Sequence, residues 1–415
     1  MWALPRIHGR IKNRPHYCRK SEESVIGQRD ISKAVALKFI ILLGLTSLFA
    51  DMTYEAARSI TGPFLATLGA SAAIVGFVAG FGEFLGYSIR LVSGYLADKT
   101  QRYWMITIVG YAINMAAVPA LALAESWYVA SILIILERTG KAIRTPARDA
   151  MLSHAGSQIG VGWAFGLHEA LDQWGAMIGP LIVAAVLYYK GSYQEGFALL
   201  VVPALLALIV LIIAFKLYPH PHHLEIKLKG LESKGMTLPF WIYLVGAGLI
   251  AAGYADFSLI AYHFEKKSIF SPVWIPLVYS LAMGMITISA PLLGYLYDKK
   301  GFRVLILVSI LSILFAPFVF LGGFYLVLVG IALWSIGIGA HESLMRAIIA
   351  NMISSKKRAS AYGIFNAGFG TFWFLGSVMI GVLYDFSVLA VVIFSVIIQL
   401  LAVPILVWVK RRIEG

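Results

Sequence analysis

From residue 36 to residue 409 the chain is a succession of apolar runs, most of them ~20 residues or longer, separated by short polar turns. Runs of that length match membrane-crossing helices and not the alternating segments of ~10 residues that build a membrane barrel. The pattern predicts twelve spans, near residues 36 to 62, 71 to 97, 103 to 124, 127 to 148, 159 to 188, 195 to 217, 237 to 263, 271 to 297, 303 to 323, 324 to 348, 359 to 384 and 387 to 409. Several runs carry polar residues at helical spacing. Asp51, Glu55 and Arg58 fall within an arc of about 60 degrees on span 1, and Glu83, Tyr87, Arg90 and Gly94 share such an arc on span 2.

Composition agrees with lipid as the solvent. Of 415 residues 60% are apolar and 13% charged, with a mean hydropathy of +0.81, whereas a soluble domain carries about 25% charged residues. One large soluble core and disorder are both excluded. The single cysteine, Cys18, allows no internal disulfide framework and no cysteine-rich metal site. The net charge of +13 is unevenly placed: the two tails, the central loop and the turns holding Lys99, Arg102, Lys299, Lys300, Lys356, Lys357 and Arg358 are basic, and the opposite turns hold only Lys190, Lys266 and Lys267. The positive-inside rule then puts both termini in the cytoplasm of a protein of the cytoplasmic (inner) membrane. The charge reads as a topology and anionic-lipid signal, and nucleic acid is not an expected partner.

The expected organisation is a cytoplasmic N-terminal tail over 1–34, a six-span bundle over 35–217, a cytoplasmic linker over 218–236, a second six-span bundle over 237–409 and a short cytoplasmic tail over 410–415. The N-terminal tail lacks the apolar run of a secretory signal peptide. Pro219 and Pro221 break helix in the linker. His220, His222 and His223 lie there with no carboxylate or cysteine cluster beside them, so they read as solvated linker; no metal and no cofactor are expected.

The two halves are related. Gly94, Tyr95, Leu96, Asp98 and Lys99 recur 200 residues later as Gly294, Tyr295, Leu296, Asp298 and Lys299, and Gly166 and Gly179 recur 197 residues later as Gly363 and Gly376. Two parallel six-helix repeats around a midplane cavity are an arrangement of secondary transporters.

At these residues the chain resembles the major facilitator superfamily, over roughly residues 35 to 410. That family's loop after span 2 carries glycine, three residues, aspartate, a basic residue, one further residue, glycine and two basic residues. Gly94, Asp98, Lys99 and Arg102 match it, with Gln101 in place of the glycine and Tyr103 in place of the last basic residue; the second copy supplies Gly294, Asp298, Lys299, Gly301 and Arg303, with Phe302 as its departure. The resemblance implies an all-α membrane fold of twelve helices and a gating latch that holds the cytoplasmic side closed and breaks during alternation. Span 5 is similar to the motif associated in this superfamily with antiporters: Gly166, Gly175, Gly179 and Pro180 fit, and Val183 and Ala184 replace its final glycine pair. His168, Asp172, Gly175 and Gly179 share an arc of about 60 degrees, so residues that permit close helix packing adjoin two ionisable groups.

Charged groups within the spans cannot face lipid at ~2.5 kcal/mol each, so they pair, neutralise or line a wet cavity. Proton-coupling candidates are Asp51, Asp172, Glu55, Glu83 and His168. Cavity candidates are Arg58, Arg90, Glu137, Arg138, Lys141, Glu169, Asp256, His341, Glu342 and Asn366. On span 4 the run Glu137, Arg138, Lys141, Arg144 and Arg148 reads either as an anion-binding or gating stripe or as ion pairs to Asp51, Glu83 or Asp172. Thr145 and Pro146 suit the start of a new helix, which would end the span near Arg144 and leave Arg144 and Arg148 as cytoplasmic-end charges. Trp334, Phe365, Phe369, Phe372 and Trp373 in the second half read either as an apolar wall of the cavity or as lipid-facing and packing aromatics.

No nucleotide loop, zinc-protease motif or nucleophile elbow is present, so an enzyme is not expected. The expected function is secondary active transport of a small organic solute by alternating access, as a proton-coupled exporter (antiporter) acting as a monomer; the alternatives are a proton-linked importer of an organic acid or similar metabolite and, from another class, a non-transporting membrane sensor.

Overall fold

The computed structural model describes residues 16–219, 236–352 and 358–414, and among them every regular element is a helix. The linker histidines His220, His222 and His223 and the side chain of Glu342 lie outside the described residues. Twelve spans run His16–Thr67, Ala72–Thr100, Tyr103–Ala120 (continued by a short 3-10 turn), Trp127–Gly156, Val161–Lys190, Tyr193–Leu217, Leu238–Lys266, Trp274–Lys300, Arg303–Leu321, Phe324–Met352, Arg358–Phe386 and Val388–Glu414. Eleven are long and apolar enough to cross a membrane by composition. The twelfth, span 4, carries too many charges to be recognised that way. The helix of span 1 begins at His16, with its apolar span over Lys33–Thr67, so part of the segment read as tail is helical.

Span 4 does not stop at Thr145-Pro146, as the capping chemistry suggested. Proline removes the N–H that the Ala142 carbonyl would have received. Ser93 Oγ of span 2 donates to that carbonyl at 3.0 Å, while Thr145 Oγ1 donates to the Lys141 carbonyl at 2.6 Å. Because neighbouring side chains satisfy the freed backbone, the helix continues to Gly156. Span 7 does break, between Gly253 and Phe257. The carbonyls freed at the break are also met by side chains: Trp334 Nε1 donates to Ala255 O at 3.0 Å, and Ser395 Oγ donates to Gly253 O at 2.6 Å.

The repeat is visible in the packing. A methyl group at Gly179 would strike the Met52 backbone, and one at Gly376, 197 residues on, would strike the backbone of Ala252, 200 residues beyond Met52. Likewise Gly175 faces the Leu48 carbonyl where Gly248 faces Phe372. Spans 1 and 5 therefore meet as spans 7 and 11 do. Both copies of the loop motif also turn through positive φ, at Gln101 (56°) and Gly301 (63°). At Gly301 (φ 63°, ψ −151°) the backbone occupies a region open essentially to glycine alone, whereas Gln101 (φ 56°, ψ 16°) lies in the left-handed helical region, which a side chain enters at a cost of about 1–2 kcal/mol. Gly179→Leu is expected to destabilise the protein by at least about 1–3 kcal/mol through overpacking, measured as a fall in the thermal midpoint of the purified protein. An unchanged midpoint for that variant would refute the close-packing account.

Between the halves, span 2 lies along span 11 and span 5 along span 8, with span 1 against the end of span 7. The end of the molecule away from the chain termini, here the distal end, is shut. Asp385 receives the Ala72 and Ala73 N–H groups at 3.0 Å each, so the end of span 11 caps the N-terminus of span 2. Tyr262 donates to Ala70 O at 3.2 Å and Tyr193 to Glu265 Oε2 at 2.8 Å. Nearer the termini, toward the proximal end, the Thr287 hydroxyl of span 8 donates to Gln173 Oε1 of span 5 at 3.0 Å, about mid-span. Asp385→Ala is expected to raise alkylation of a cysteine placed at Val75 from the distal side. No change in labelling would mean that this cap holds nothing shut.

Candidate functional site

Ionisable residues that the sequence spreads over spans 1, 2, 4 and 7 converge on one buried network. Arg58 bridges the halves: Nη2 donates to Asp256 Oδ2 at 2.7 Å and lies 3.3 Å from Glu83 Oε1. Asp256 sits at the break in span 7, where its other oxygen accepts the Ser258 N–H at 2.8 Å and so caps the helix that follows. Arg138 closes on Glu83 from span 4 at 3.2 Å, with its Nε 3.3 Å from Glu137 Oε2. Asn114 Nδ2 donates to that same Glu137 side chain at 3.0 Å. A second link crosses the halves beside the first: Glu55 Oε2 accepts the Tyr279 hydroxyl at 2.5 Å, and its Oε1 lies 3.7 Å from Lys141 Nζ. The Lys141 ammonium rests 3.8 Å above the Tyr54 ring. A small cavity adjoins the network distally, lined by Arg58, Thr61, Glu137, Arg138 and Ser258 and by apolar side chains of spans 1 to 4.

A second cluster lies nearer the proximal end. The Ser47 hydroxyl is 3.2 Å from both Tyr111 OH and His168 Nε2 and accepts Arg148 Nη1 at 2.9 Å. Arg148 grips Asp149 with two nitrogens, at 3.0 and 2.8 Å, and reaches only to 4.0 Å of Asp172. His168 stands 3.7 Å from Asp172, whose Oδ1 has no hydrogen-bond partner. Asp51 accepts the Tyr54 hydroxyl. Arg144, 1% exposed, lies 4.1 Å over the Tyr111 ring, with Nε and Nη1 unpartnered. Buried charges of this kind persist only where partners repay the lost hydration.

The structure therefore brings together Glu55, Arg58, Glu83, Glu137, Arg138, Lys141 and Asp256, and separately Asp51, His168 and Asp172. Glu169 is exposed and accepts from Gln173 at 3.3 Å; Asn366 is exposed; Arg90 lies outside both clusters, over Tyr87; and His341 sits among aromatic rings of the second half. Arg144 and Arg148, read from sequence as end-of-span charges, are buried inside the bundle. Ser47, Tyr54, Tyr111 and Tyr279 join these clusters as neutral side chains that the pattern of charges along the chain does not mark. Tyr54 follows Asp51 at i+3, a spacing that signals the pair; nothing local signals Tyr279. The residues of the duplicated loop motif, Gly94, Asp98, Lys99, Arg102, Gly294, Asp298, Lys299, Gly301 and Arg303, occupy the proximal ends of spans 2 and 8 and the turns that follow. Asp98 and Asp298 are exposed and, among the described residues, unpaired, while Lys99 and Lys299 lie over the rings of Tyr95 and Tyr295 at 5.7 and 4.3 Å.

A twelve-helix fold with duplicated halves and a charged seam is that of a solute carrier, and comparison agrees. The sequence model of the Major Facilitator Superfamily matches residues 43–345, and the chain belongs to that family. It is 39% identical over 374 residues to the uncharacterized protein Rv2265 of Mycobacterium tuberculosis, covering 88% of this chain and 91% of that one. It is 28% identical over 382 residues to the uncharacterized MFS-type transporter MJ1317 of Methanocaldococcus jannaschii, covering 89% and 94%. In fold it is similar to an inward-facing, unoccupied bacterial homolog of the human lysosomal transporter Spinster (TM-score 0.72, 14% identity, 92% of this chain and 98% of that chain) and to the nucleoside transporter NupG (TM-score 0.71, 14% identity, 91% and 99%). The protein is a multi-pass membrane transporter of this superfamily.

Proposed function

We propose that this transporter is a proton-coupled exporter of a small organic solute in the cytoplasmic membrane, an antiporter working as a monomer by alternating access. The carrying observation is the pair of links across the seam, Arg58 to Asp256 and Glu55 to Tyr279. Neither survives if the bundles over 35–217 and 237–409 rock apart distally, so opening demands that buried carboxylates be re-paired or neutralised. A proton supplies that neutralisation. The close packing at Gly175 and Gly179 supports the exporter reading. The unpartnered nitrogens of Arg144 favour the second reading, a proton-linked importer of an organic acid. Basic tails and loops support cytoplasmic termini, which makes the proximal end the cytoplasmic one and Asp98 and Asp298 candidates for the latch that holds that side closed. The test is purified protein in liposomes, with solutes first selected by thermal shift over acids, sugars, amino acids and drugs. An imposed pH gradient should drive the selected solute uphill; flux that ignores the gradient rejects proton coupling.

A further inference from the structure

We infer that the wall of spans 7, 10 and 11 receives the ring system of a planar heteroaromatic anion whose charge is taken by Arg90 of span 2; this rests on the transport reading above and names the class of solute. Four rings close a circuit: Tyr254 to His341 at 5.2 Å, His341 to Phe369 at 6.1 Å, Phe369 to Trp373 at 6.0 Å and Trp373 to Tyr254 at 6.5 Å. None of the four is more than 8% exposed. Two nitrogens in this circuit, His341 Nδ1 and Trp373 Nε1, are buried without a hydrogen-bond partner.

Two neighbouring polar groups of the same wall are paired, while the Tyr243 hydroxyl of span 7 and Ser377 Oγ of span 11 are, like the two nitrogens, without a partner. Trp334 Nε1 donates to Ala255 O at 3.0 Å, and the Tyr254 hydroxyl donates to Trp334 O at 3.1 Å. Orphaned buried donors are rare in native interiors and call for a specific explanation. An indole N–H can only donate, and an imidazole nitrogen donates or accepts according to tautomer. A flat ring with an acceptor atom, stacked on this wall, meets both demands, since aromatic faces select flat partners and the nitrogens select a heteroatom.

The charge preference comes from across the seam. Gly370, next to Phe369, approaches so closely that a methyl group there would lie 2.5 Å from the Tyr87 ring, and the Phe369 ring is 6.3 Å from the Tyr87 ring. One helical turn along span 2 the Arg90 guanidinium lies 5.6 Å over Tyr87, its Nε buried and unpartnered. Among the described residues Arg90 has no carboxylate at ion-pair distance, whereas Arg58, Arg138, Lys141 and Arg148 all have one. Arg144 also lacks a carboxylate but is stacked on Tyr111 inside the first bundle. The Phe369 ring lies 6.1 and 6.0 Å from the His341 and Trp373 rings and 6.3 Å from that of Tyr87, so admission of the solute ring requires Phe369 to turn aside. A solute held by Trp373 and Arg90 touches both halves, so its binding is felt by their relative position.

Three probes read the proposal on the purified full chain in detergent by thermal shift: quinoline-3-carboxylate, naphthalene-2-carboxylate without the ring acceptor, and quinoline without the charge. Quinoline-3-carboxylate should stabilise saturably, with the other two at least tenfold weaker. Trp373→Phe, which keeps a ring and removes the N–H, and Arg90→Gln should each weaken its binding at least tenfold. Should Trp373→Phe fail to fold, Arg90→Gln and the probe order in the parent protein still decide. Absence of saturable binding, equal binding of all three probes, or unaltered binding in both variants overturns the assignment. A protein that fails here and still drives another solute uphill in liposomes loses only this inference; one that binds the probe as described and shows no gradient-driven flux loses only the coupling.

Discussion

Asp256→Ala is expected to destabilise the protein by about 3–5 kcal/mol and to stop transport, because it leaves Arg58 buried at the seam with Glu83 alone. Asp256 is 2% exposed and does two things at once, pairing Arg58 at 2.7 Å and capping the second part of span 7 through the Ser258 N–H. Asp256→Asn separates these. It keeps a capping oxygen and loses the charge, so it should recover the capping share, about 0.5–2 kcal/mol, and none of the pairing. The double variant Arg58→Met with Asp256→Leu removes both charges and is expected to regain most of the lost stability, since an apolar pair of similar volume replaces a buried ion pair at little net cost. It should not regain transport. Thermal midpoints of the four proteins, with solute exchange in liposomes, check this. Single variants as stable and active as the parent would show that the bridge bears neither load.

The span count, the duplicated halves and the polar stripes were legible in the sequence because each depends on local periodicity or on repetition, which the chain displays directly. The partners within the site were not. Glu55 and Arg58, three residues apart on one helix face, invite pairing with each other. Instead Arg58 reaches Asp256, 198 residues on, and Glu55 turns to Lys141 and Tyr279. Helical spacing fixes the face a side chain occupies; which neighbour meets that face is set by how the bundles pack, and single-chain periodicity does not contain it. Span 4 carries the same lesson for helix ends. Thr145 and Pro146 hold the local chemistry of a helix start, and Ser93 on another helix cancels it by filling the bond that Pro146 vacates. Arg144 and Arg148 are therefore interior residues, a consequence legible only once the helix is known to continue.

Asp172→Asn is expected to bring gradient-driven uphill flux down to the level of protein-free liposomes while preserving solute exchange. Exchange requires the halves to reorient and no net transfer of a proton; uphill flux requires a group that takes up and releases one in each cycle. Asp172 is held more loosely than Asp51, the other candidate carboxylate of its cluster. Its Oδ1 has no partner, His168 stands 3.7 Å away, and Arg148, at 4.0 Å, is already engaged by Asp149 and Ser47. It can change its proton without breaking a bond that holds the bundle together. Asp51 accepts the Tyr54 hydroxyl, whose ring in turn supports the Lys141 ammonium. Asp51→Asn disturbs that stack, so it should lower stability and exchange along with uphill flux. Paired uphill and exchange measurements, with a thermal midpoint for each variant, discriminate the two roles. Full uphill transport in both variants would mean that neither carboxylate is the obligatory proton carrier. Loss of exchange in Asp172→Asn would mean that this residue holds the fold or the solute, and the carrier would then be sought at Glu55, Glu83 or His168.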